Sequence, residues 1–589
     1  MNIILATLNA KYIHTNLAIR YLKSFAKPEY DPILAEYTIK DPSFNIVSDL
    51  YQKKPDIIGF SCYIWNIEET IRVIHMIKKV SPNTKIVLGG PEVSYDVHDW
   101  LHRIKEIDFI IMGEGELSFK QLLHYFHGKL NLDEVPGIAY LQDGKVIIHP
   151  AAPKIDLRNL PSPFRFEEDL PHIPKRIAYI ETSRGCPFNC QFCLSSIEVG
   201  VRYFNREKIK EDIRYLMDHG VKTVKFVDRT FNISRSYAME MFQFLIDERK
   251  PGVVFQFEIT ADIMRPEVIQ FLNDHAPKGL FRFEIGVQST NDLTNDLVKR
   301  RQNFTKLSRT VNMVKEGGKI DQHLDLIAGL PEEDYLSFRK TFNDVFAMRP
   351  EELQLGFLKL LRGTGLRLQA KQYGYQYVDL APYEIFSNNV LTFEDILHIK
   401  QTEDILEKYW NDHRMDGTIE YLVTKVFDTA FDFFQEFGTY WDEKGWSRIG
   451  HQLEDLFTRL LDFLEQRGNV SIDIVTNLMQ LDYLKAQQFQ PRKIWWKNRT
   501  QQHTAKQILK ALRENPEIAG KEFAEMNPGE KDLYKHTLLT PFSIDFEAYQ
   551  NGKIQIQKGY LLTFFRKNDI PYFATIDEKK LALLDILTD

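Results

Sequence analysis

Two stretches of the sequence alternate short apolar runs with amphipathic segments, and this alternation limits the fold more than any other feature. The apolar runs of the first stretch are NIILATL, ILAEYTI, DIIGFSCY, KIVLGG and DFIIMG. Between them lie segments such as NIEETIRVIHMIKKV, whose apolar residues recur every three or four positions, as in a helix. Near-continuous apolar strands separated by helices are typical of a doubly wound parallel sheet. We therefore predict an α/β fold with such a sheet over residues 1–135.

The second stretch repeats the strand–helix pattern through RIAYIETS, VKTVKFVD, VVFQFEIT, LFRFEIGVQ, HLDLIAGLP and ELQLGFLKLL. Six such units predict a partial (β/α)6 TIM-type barrel over residues 176–372, with its chemistry at the C-terminal ends of the strands. A polar, proline-rich passage, PAAPKIDLRNLPSPFRFEEDLPHIPK, comes before the barrel. We interpret residues 136–175 as a linker.

The last third of the chain changes to long helical segments such as TFEDILHIKQTEDILEKYWND. Near its end, FSIDFEAYQNGKIQIQKGY alternates apolar and polar residues on both sides of Asn551 and Gly552. Asn-Gly is a preferred dipeptide for a type I′ hairpin turn. The sequence therefore predicts a mainly helical domain over residues 373–589 that ends in a β-hairpin.

Composition excludes several classes of protein. The formal net charge of -7 over 589 residues argues against a surface built wholly for nucleic acid. No apolar run is long enough to span a bilayer, and MNIILATLNAKY lacks the basic and long apolar regions of a secretion signal. Four cysteines, three of them clustered, do not make a disulfide framework. We expect a soluble, cytoplasmic protein without a membrane partner.

The clustered cysteines lie in SRGCPFNCQFC, directly after the first barrel strand, as Cys186, Cys190 and Cys193. Thiolates are the usual ligands of iron–sulfur clusters. Three thiolates on a [4Fe-4S] cube leave one iron without a protein ligand, and an open position is what a catalytic metal keeps. The motif thus predicts a cluster whose open iron binds a substrate or cofactor. A structural zinc site, the alternative, would need a fourth ligand.

The spacing C-x3-C-x2-C, with Phe192 before the last cysteine, resembles the signature of radical S-adenosylmethionine (SAM) enzymes. In that family SAM chelates the open iron, and one electron from the cluster cleaves it to methionine and a 5′-deoxyadenosyl radical. The resemblance implies SAM contacts from Phe192 and from three residues at the ends of the second, third and fourth barrel strands, Asp228, Glu258 and Gln288. Hydrogen bonding inside the barrel is the alternative role for these three.

Small and acidic residues follow three strands of the predicted N-terminal sheet, at the edge where open parallel sheets bind ligands. They are Ser61, Gly89, Gly90, Glu92, Gly113, Glu114, Gly115 and Glu116. A tight turn is the alternative for any single glycine. A doubly wound domain before such a barrel resembles the cobalamin-binding domain of B12-dependent radical SAM enzymes. The resemblance implies that these residues contact cobalamin.

Two departures from related patterns narrow this assignment. Methyl-transferring cobalamin domains carry D-x-H-x-x-G after the first strand, whereas this chain reads NAKYIHTNLA, so we interpret His14 as a loop histidine and leave the lower cobalt ligand unassigned. A dinucleotide-binding domain would need G-x-G-x-x-G at that place, which is missing. Cys62 is the one cysteine outside the motif and is interpreted as a core residue. Methylthiotransferases of the radical SAM class hold a second cluster on three more N-terminal cysteines, so a single further cysteine excludes that kind of enzyme.

The resemblance implies a cobalamin-dependent radical SAM enzyme that methylates an unactivated carbon of an unknown small molecule or peptide. It also implies an external electron donor of the flavodoxin or ferredoxin type. Two alternatives stay open: a redox or ring-forming enzyme of the same family, and a non-catalytic iron–sulfur sensor or scaffold. No catalytic acid or base can be chosen from the sequence.

The segment PRKIWWKNRT is the one place where the sequence suggests nucleic-acid binding. It interleaves Trp495 and Trp496 with basic residues that could neutralise phosphates, namely Arg492, Lys493, Lys497 and Arg499. An amphipathic surface explains the same pattern, and the acidic total charge favours that interpretation. We therefore expect no nucleic-acid partner.

Overall fold

The computed structural model describes residues 1–197, 200–566 and 569–583. The last six residues of the predicted C-terminal domain lie outside these ranges. The chain forms two compact units, Met1–Ile396 and Leu397–Asp589. Within the described ranges, no helix combines the length and the apolar character that crossing a membrane requires.

A mostly parallel sheet forms the N-terminal part of the first unit, as predicted. Its strands follow the order β2-β1-β3-β4-β5-β6-β7 in the described residues, and pairing is parallel from β2 to β5. The order reverses between β1 and β3, so the ligand crevice expected at the switch point of such a sheet lies there. The strands are β1 (Ile3–Asn9), β2 (Ile33–Thr38), β3 (Ile57–Ser61), β4 (Lys85–Gly89), β5 (Phe109–Ile111), β6 (Ile138–Gln142) and β7 (Lys145–Ile148).

Helices cover both faces of this sheet. Neighbouring strand residues point to opposite faces, so Ile4 and Ile58 belong to one hydrophobic core and Ile3 and Ile57 to the other. This arrangement explains why the strands are apolar along their whole length. The helices are α1 (Leu17–Ala26), α2 (Ser43–Gln52), α3 (Ile67–Val80), α4 (Val97–Arg103) and α5 (Glu116–Phe126).

The predicted linker is wrong in its first part. Strands β6 and β7, within residues 138–148, extend the sheet as an antiparallel pair. Asp143 and Gly144 connect them, and both have positive φ, 48° and 77°, as a type I′ turn requires. The sequence reads Asp-Gly at this turn, a strong hairpin signal that the proline-rich surroundings concealed. Residues 149–175 contain only short 3-10 turns.

The predicted partial barrel is confirmed as a parallel sheet of order β15-β14-β13-β12-β11-β8. In β12, Phe255 and Phe257 are buried, whereas Gln256 and Glu258 on the opposite face are partly exposed. The inward side of the barrel is therefore polar. The strands are β8 (Ile177–Ile180), β9 (Ser183–Arg184), β10 (Arg202–Tyr203), β11 (Thr223–Phe226), β12 (Val254–Glu258), β13 (Phe281–Gln288), β14 (Asp321–Ala328) and β15 (Glu352–Phe357).

Most helices of this region lie between parallel strands in the chain, and they supply the crossovers that parallel pairs need. After β15 a short helix and the small antiparallel pair β16 (Gln376–Tyr377) and β17 (Ile385–Ser387) complete the unit. The helices are α6 (Arg206–Asp218), α7 (Arg235–Glu248), α8 (Pro266–His275), α9 (Asp292–Leu297), α10 (Phe304–Gly317), α11 (Tyr335–Phe346) and α12 (Gly365–Leu368).

The second unit is mainly helical, as predicted, and the helix α13 leads into it. Many aromatic residues of FDFFQEFGTYW lie on α15, where Phe433, Phe434 and Phe437 are fully buried. The helices are α13 (Phe393–Leu406), α14 (Asp416–Tyr421), α15 (Ala430–Glu443), α16 (Leu453–Arg467), α17 (Ile472–Lys485), α18 (Gln502–Glu514), α19 (Lys521–Met526), α20 (Glu530–His536), α21 (Phe546–Gln550) and α22 (Glu578–Leu583).

The predicted β element is present, but its turn is not the predicted one. Strands β18 (Thr537–Ile544), β19 (Ile556–Phe564) and β20 (Tyr572–Asp577) form an antiparallel sheet. Asn551 and Gly552 do not make a two-residue hairpin turn, because they end the short helix α21 between β18 and β19. Gly552 there has φ of 73°, the left-handed conformation common after a helix.

The tryptophans of PRKIWWKNRT pack inside the second unit. Trp495 stacks on Phe457 at 5.6 Å between ring centroids, and Trp496 contacts Tyr483 edge-on. The four basic side chains of the segment are exposed. The indole faces are thus used by the core, which agrees with an amphipathic surface segment.

Candidate functional site

The three motif cysteines lie on one loop at the barrel mouth. This cluster loop, which the structure describes at residues 185–197 and 200–201, begins after β9 and ends at β10, and the two strands pair antiparallel. Gly185 has φ of 96°, and a Cβ added there would lie 2.0 Å from the carbonyl oxygen of Gly200. The narrow neck of the loop therefore requires glycine at 185.

Two of the three thiols are buried, those of Cys186 and Cys190, while Cys193 is partly exposed. Burial raises the pKa of Cys186 and of Cys190, and each of these pKa values also feels the charge of Cys193. The three thiols are thus near enough in the loop for their charges to interact. Among the described residues, no group of three or more His, Cys, Asp or Glu side chains converges on a position for a single metal ion. Three neighbouring thiols fit the ligand set of a [4Fe-4S] cluster with one open iron.

Backbone hydrogen bonds fix the cluster loop against two other loops of the barrel mouth. The amide of Gln191 donates to Val298 O at 2.9 Å, and the amide of Leu366 donates to Gln191 O at 2.9 Å. Ser196 Oγ donates to the carbonyls of Cys190 and Cys193 at 2.8 and 2.6 Å. The loop is therefore held from both sides between its second and third cysteines.

Asp228, predicted to contact SAM, lies after β11 and is 1% exposed. Its carboxylate accepts hydrogen bonds from Thr182 N at 3.1 Å, Thr182 Oγ1 at 2.7 Å and Ser183 Oγ at 2.5 Å. Burial raises the pKa of Asp228 to about 6, and these hydrogen bonds oppose the rise. In the structure Asp228 anchors the chain just before the cluster loop, and its contact with SAM stays a prediction.

Glu258 and Gln288 end β12 and β13 with polar groups that lack partners. The carboxylate of Glu258 has no hydrogen bond or ion pair within the part of the chain that the structure describes, and burial raises its pKa. Gln288 has φ of 69°, at a shift in the register of β13 with β14. Its buried Oε1 has no hydrogen-bond partner. Buried polar atoms normally have partners, so both side chains fit a polar ligand such as SAM.

Arg300 is a functional candidate that the sequence analysis missed. Its guanidinium donates to Gly286 O and to Gln302 Oε1 at 3.0 Å, and its charge acts on the nearby thiol of Cys190. Burial lowers the pKa of Arg300, and the nearby Cys190 opposes this. The described residues offer it no ion pair with a carboxylate, so a cation stands beside the cysteines without a counter-ion. Nothing in VKRRQ marks this arginine, because its role depends on a loop about 110 positions earlier in the chain.

The predicted ligand edge of the N-terminal sheet is assembled by the loops after β3, β4 and β5. The amide of Cys62 donates to Gly89 O at 2.7 Å, and a Cβ on Gly90 would lie 2.5 Å from Cys62 O. Ser94 Oγ donates to Gly90 O at 2.8 Å and accepts from the amide of Gly113 at 3.4 Å. Gly90 is therefore needed for close backbone packing. Gly113, with nothing within 4 Å of an added Cβ, borders open space.

The other residues predicted at this edge differ in their surroundings. Ser61 is 7% exposed and accepts a hydrogen bond from Asn16 Nδ2 at 3.4 Å. Gly115 lies against Leu22, 3.2 Å from an added Cβ. Phe192 of the cluster loop is partly exposed. Their contacts with cobalamin or SAM stay predictions.

The three carboxylates of this edge bind residues of the barrel region instead of lining a free crevice. Glu92, 4% exposed, accepts from the hydroxyl of Tyr383, and burial raises its pKa. Glu116 accepts from Arg184 Nη2 at 2.7 Å, and Glu114 pairs with Arg202. These ion pairs join the sheet edge to the barrel mouth, and they were not foreseen from the sequence.

His14 and Cys62 take the positions expected of a loop histidine and a core cysteine. His14 Nδ1 hydrogen bonds with Tyr179 OH at 2.7 Å, and burial lowers its pKa. Cys62 is fully buried, and burial raises its pKa. Neither lies with the three cysteines of the cluster loop.

Family models match three successive segments of the chain. A B12 binding domain matches residues 3–123, the radical SAM superfamily matches residues 180–345, and a protein family of unknown function, DUF4080, matches residues 371–563. The first two segments contain the sheet edge and the cluster loop described above. These families imply a [4Fe-4S] cluster, SAM and cobalamin.

Individual relatives agree with this arrangement. The cobalamin-dependent radical SAM methyltransferase TokK of Streptomyces tokunonensis is 25% identical over 63% of this chain and 58% of its own. The anaerobic magnesium-protoporphyrin IX monomethyl ester cyclase of Rubrivivax gelatinosus is 29% identical over 49% of this chain and 54% of its own. The chain thus spans somewhat more than half the length of these curated relatives.

A solved structure shares the fold over most of the chain. The cobalamin-dependent SAM radical enzyme OxsB, with aqua-cobalamin and SAM bound, superposes with a TM-score of 0.56 at 18% identity. The match covers 82% of this chain and 78% of the OxsB chain. The chain therefore contains a B12 binding domain, a radical SAM domain and a C-terminal domain of unknown function, as the family models that match these three segments show.

Proposed function

We propose that the chain is a cobalamin-dependent radical SAM methyltransferase that acts on an unactivated carbon of a small molecule or peptide. One observation carries this proposal: the cluster loop and the ligand edge of the B12 binding domain meet, through the 2.7 Å contact of Arg184 with Glu116. When bound, the cluster, SAM and cobalamin supply radical and methyl-transfer chemistry. A substrate between the two sites would be reached by both.

The residues of the barrel mouth hold SAM in this proposal. Gln288 Oε1 would accept a hydrogen bond from a hydroxyl or amino group of SAM, and Glu258 would do the same at the end of the neighbouring strand β12. Arg300, beside Cys190, neutralises the carboxylate of SAM by a charge-assisted hydrogen bond. Asp228 supports the chain before Cys186, and its predicted contact with SAM remains part of the proposal.

The relatives support methyl transfer as the outcome. TokK is named as a cobalamin-dependent radical SAM methyltransferase, and its match covers 63% of this chain. An external reductant is also part of the proposal, because radical SAM enzymes need an electron from outside. We propose a flavodoxin- or ferredoxin-like donor.

Ring formation without methyl transfer is the second candidate. It is favoured by the cyclase of Rubrivivax gelatinosus, whose match has a higher identity than that of TokK. The two candidates share the cluster loop and the SAM residues, so those residues do not separate them. Products do.

The test is anaerobic reconstitution of the full chain with iron, sulfide and cobalamin, followed by reduction in the presence of SAM. We expect one four-iron cluster and up to one cobalamin per chain, with formation of 5′-deoxyadenosine. SAM labelled in its methyl group would then label a substrate from a metabolite or peptide extract. Deoxyadenosine with an unlabelled, cyclised or oxidised product would favour the second candidate. The absence of both deoxyadenosine and methionine would favour a sensor or scaffold, and stoichiometric zinc in place of iron would reject the proposal.

A further inference from the structure

Arg184 lies two positions before Cys186 and is surrounded by three carboxylates. Glu116 Oε1 lies 2.7 Å from its Nη2, Glu181 Oε2 lies 3.0 Å from its Nε, and Glu114 Oε2 lies 3.7 Å from its Nη1. Only Glu181 belongs to the barrel. The other two come from the start of α5 and the loop before it, in the B12 binding domain.

Burial makes these contacts strong. The side chain of Glu116 is 5% exposed and that of Arg184 is 14% exposed. Although burial opposes ionisation of Arg184, Glu181 and Glu116 raise its pKa. Arg184 also lies over the rings of Tyr21 and Phe204, which fixes its guanidinium plane. A buried charge pair of this kind is expensive to break from one side, because the remaining charge loses its partner.

The second strand of the neck is held by the same acidic segment. Arg202 of β10 pairs with Glu114, opposite Arg184 of β9 in the strand register. Each strand at the neck of the cluster loop therefore places one arginine on residues 114–116. On the barrel side, Asp228 binds Thr182 and Ser183. Side chains of the B12 binding domain and of the barrel therefore both hold the neck of the cluster loop.

We infer that Glu116, together with Glu114, is a positioning residue for the cluster loop: the B12 binding domain holds Cys186 in place through Arg184. The inference rests on the proposed function in that the loop carries a [4Fe-4S] cluster. It goes further, because it makes the geometry of the cluster depend on side chains of the other domain. The chain thereby couples its two cofactor sites through one ion-pair group.

The test compares Glu116→Ala with Asp96→Asn in the full, cluster-loaded chain. Asp96 is a matched control, because it also joins the two domains, through Arg362 at 2.9 Å, and Asp99 at 3.0 Å keeps that arginine paired. The first measurement is backbone hydrogen exchange of residues 182–204, read by mass spectrometry. The second is the electron paramagnetic resonance spectrum of the reduced cluster before and after SAM is added.

We expect Glu116→Ala to speed exchange in residues 182–204 by about tenfold, since a local opening becomes easier, and to broaden the spectrum of the SAM-bound cluster. Glu116→Gln keeps an acceptor oxygen without the charge, so it should restore part of both properties. Asp96→Asn should match the unchanged chain. Exchange that rises equally in β1 to β5 would show a general loss of structure and would contradict a positioning role.

Wild-type exchange and spectra in Glu116→Ala would overturn the inference. If that variant does not fold, Glu116→Gln decides on the same two measurements, faster exchange confined to 182–204 supporting the inference and unchanged exchange rejecting it. Failure of the proposed function looks different, because the unchanged chain would then show no [4Fe-4S] signal or no SAM-dependent change in it.

Discussion

The cluster loop and the N-terminal sheet edge were both predicted as ligand sites, and the structure treats them differently. In the cluster loop, the predicted Cys186, Cys190 and Cys193 lie together at the barrel mouth. At the sheet edge, the predicted Glu92 and Glu116 are occupied by Tyr383 and Arg184. Thiols at fixed spacing on one loop are placed by local sequence. A carboxylate after a strand serves a ligand or a distant arginine, and only the fold decides which.

Removing a motif thiol should have the largest effect. We expect Cys190→Ala to reduce cluster iron and SAM cleavage to less than about one-hundredth of the unchanged chain, because no other thiol is near enough to replace it. The matched control is Cys62→Ala, which removes a buried thiol in the sheet and should leave iron content unchanged. Iron assay and deoxyadenosine analysis measure both. Equal iron content in Cys190→Ala and Cys62→Ala would contradict the assignment of the iron ligands to the cluster loop.

Removing the anchor of the loop should have the next largest effect. Asp228→Ala leaves the donors of Thr182 and Ser183 without an acceptor, at a cost of about 3 kcal/mol for the buried group and its partners. We expect the midpoint of thermal unfolding of the first unit to fall and cluster iron to fall with it. Asp228→Asn keeps one acceptor oxygen and should lose less. A variant with normal stability and normal iron would show that the hydrogen bonds do not support the loop.

A buried carboxylate that is held only by hydroxyl groups should make the stability of the protein depend on pH. Glu333 accepts from Ser289 Oγ and Thr341 Oγ1 at 2.6 and 2.7 Å, and burial raises its pKa to about 7. Since the folded pKa lies above the unfolded one, the ionised form disfavours folding. The free energy of unfolding should therefore fall as the pH rises from about 4.5 to about 7, by about 3 kcal/mol, and then level off.

The measurement for Glu333 is the unfolding midpoint at pH 5 and pH 8, in the unchanged chain and in Glu333→Gln. The variant cannot ionise, so it should lose less stability between the two values. An identical pH dependence in Glu333→Gln and the unchanged chain would refute the assignment.

The smallest effect is expected at a predicted SAM contact. Gln288→Ala removes the unpaired Oε1, so we expect SAM to bind about tenfold more weakly at unchanged cluster iron. SAM affinity can be read from the spectral change of the reduced cluster during titration. Gln302→Ala is a nearby control that removes a glutamine bonded to Arg300 Nε and Ser289 O. A larger loss of SAM affinity in Gln302→Ala than in Gln288→Ala would assign the effect to Arg300.

The sequence was sufficient for the architecture because its periodicities are local. Strand–helix alternation predicts a parallel sheet in each of the two regions, whereas the order of the strands comes from the structure. Turn signals were less reliable. Asp143–Gly144 makes a true two-residue turn, whereas Asn551–Gly552 ends a helix, although both dipeptides favour left-handed backbone. The preceding residues decide whether such a dipeptide makes a hairpin turn, since Asn551–Gly552 follows residues that fold as α21.

The partners of the site carboxylates could not be predicted in the same way. Glu116 and Arg184 are 68 positions apart, and Tyr383 and Glu92 are 291 apart. No pattern of charge along the chain identifies such pairs, because each depends on how the sheet edge meets the barrel. Arg300 was missed for the same reason. Cysteine spacing needs no such knowledge, because the three predicted metal ligands lie within eight positions of one loop.

The glycine at the neck of the cluster loop has a consequence for tolerance to change. Any L-residue at 185 would combine a left-handed backbone, at φ of 96°, with an overlap at 2.0 Å against a main-chain oxygen. A main-chain oxygen cannot move away from an added Cβ as the end of a flexible side chain can. Libraries that vary this region should therefore recover diversity between the cysteines and uniformity at 185. Substitutions between the cysteines should be accepted, whereas a substitution of Gly185 should not.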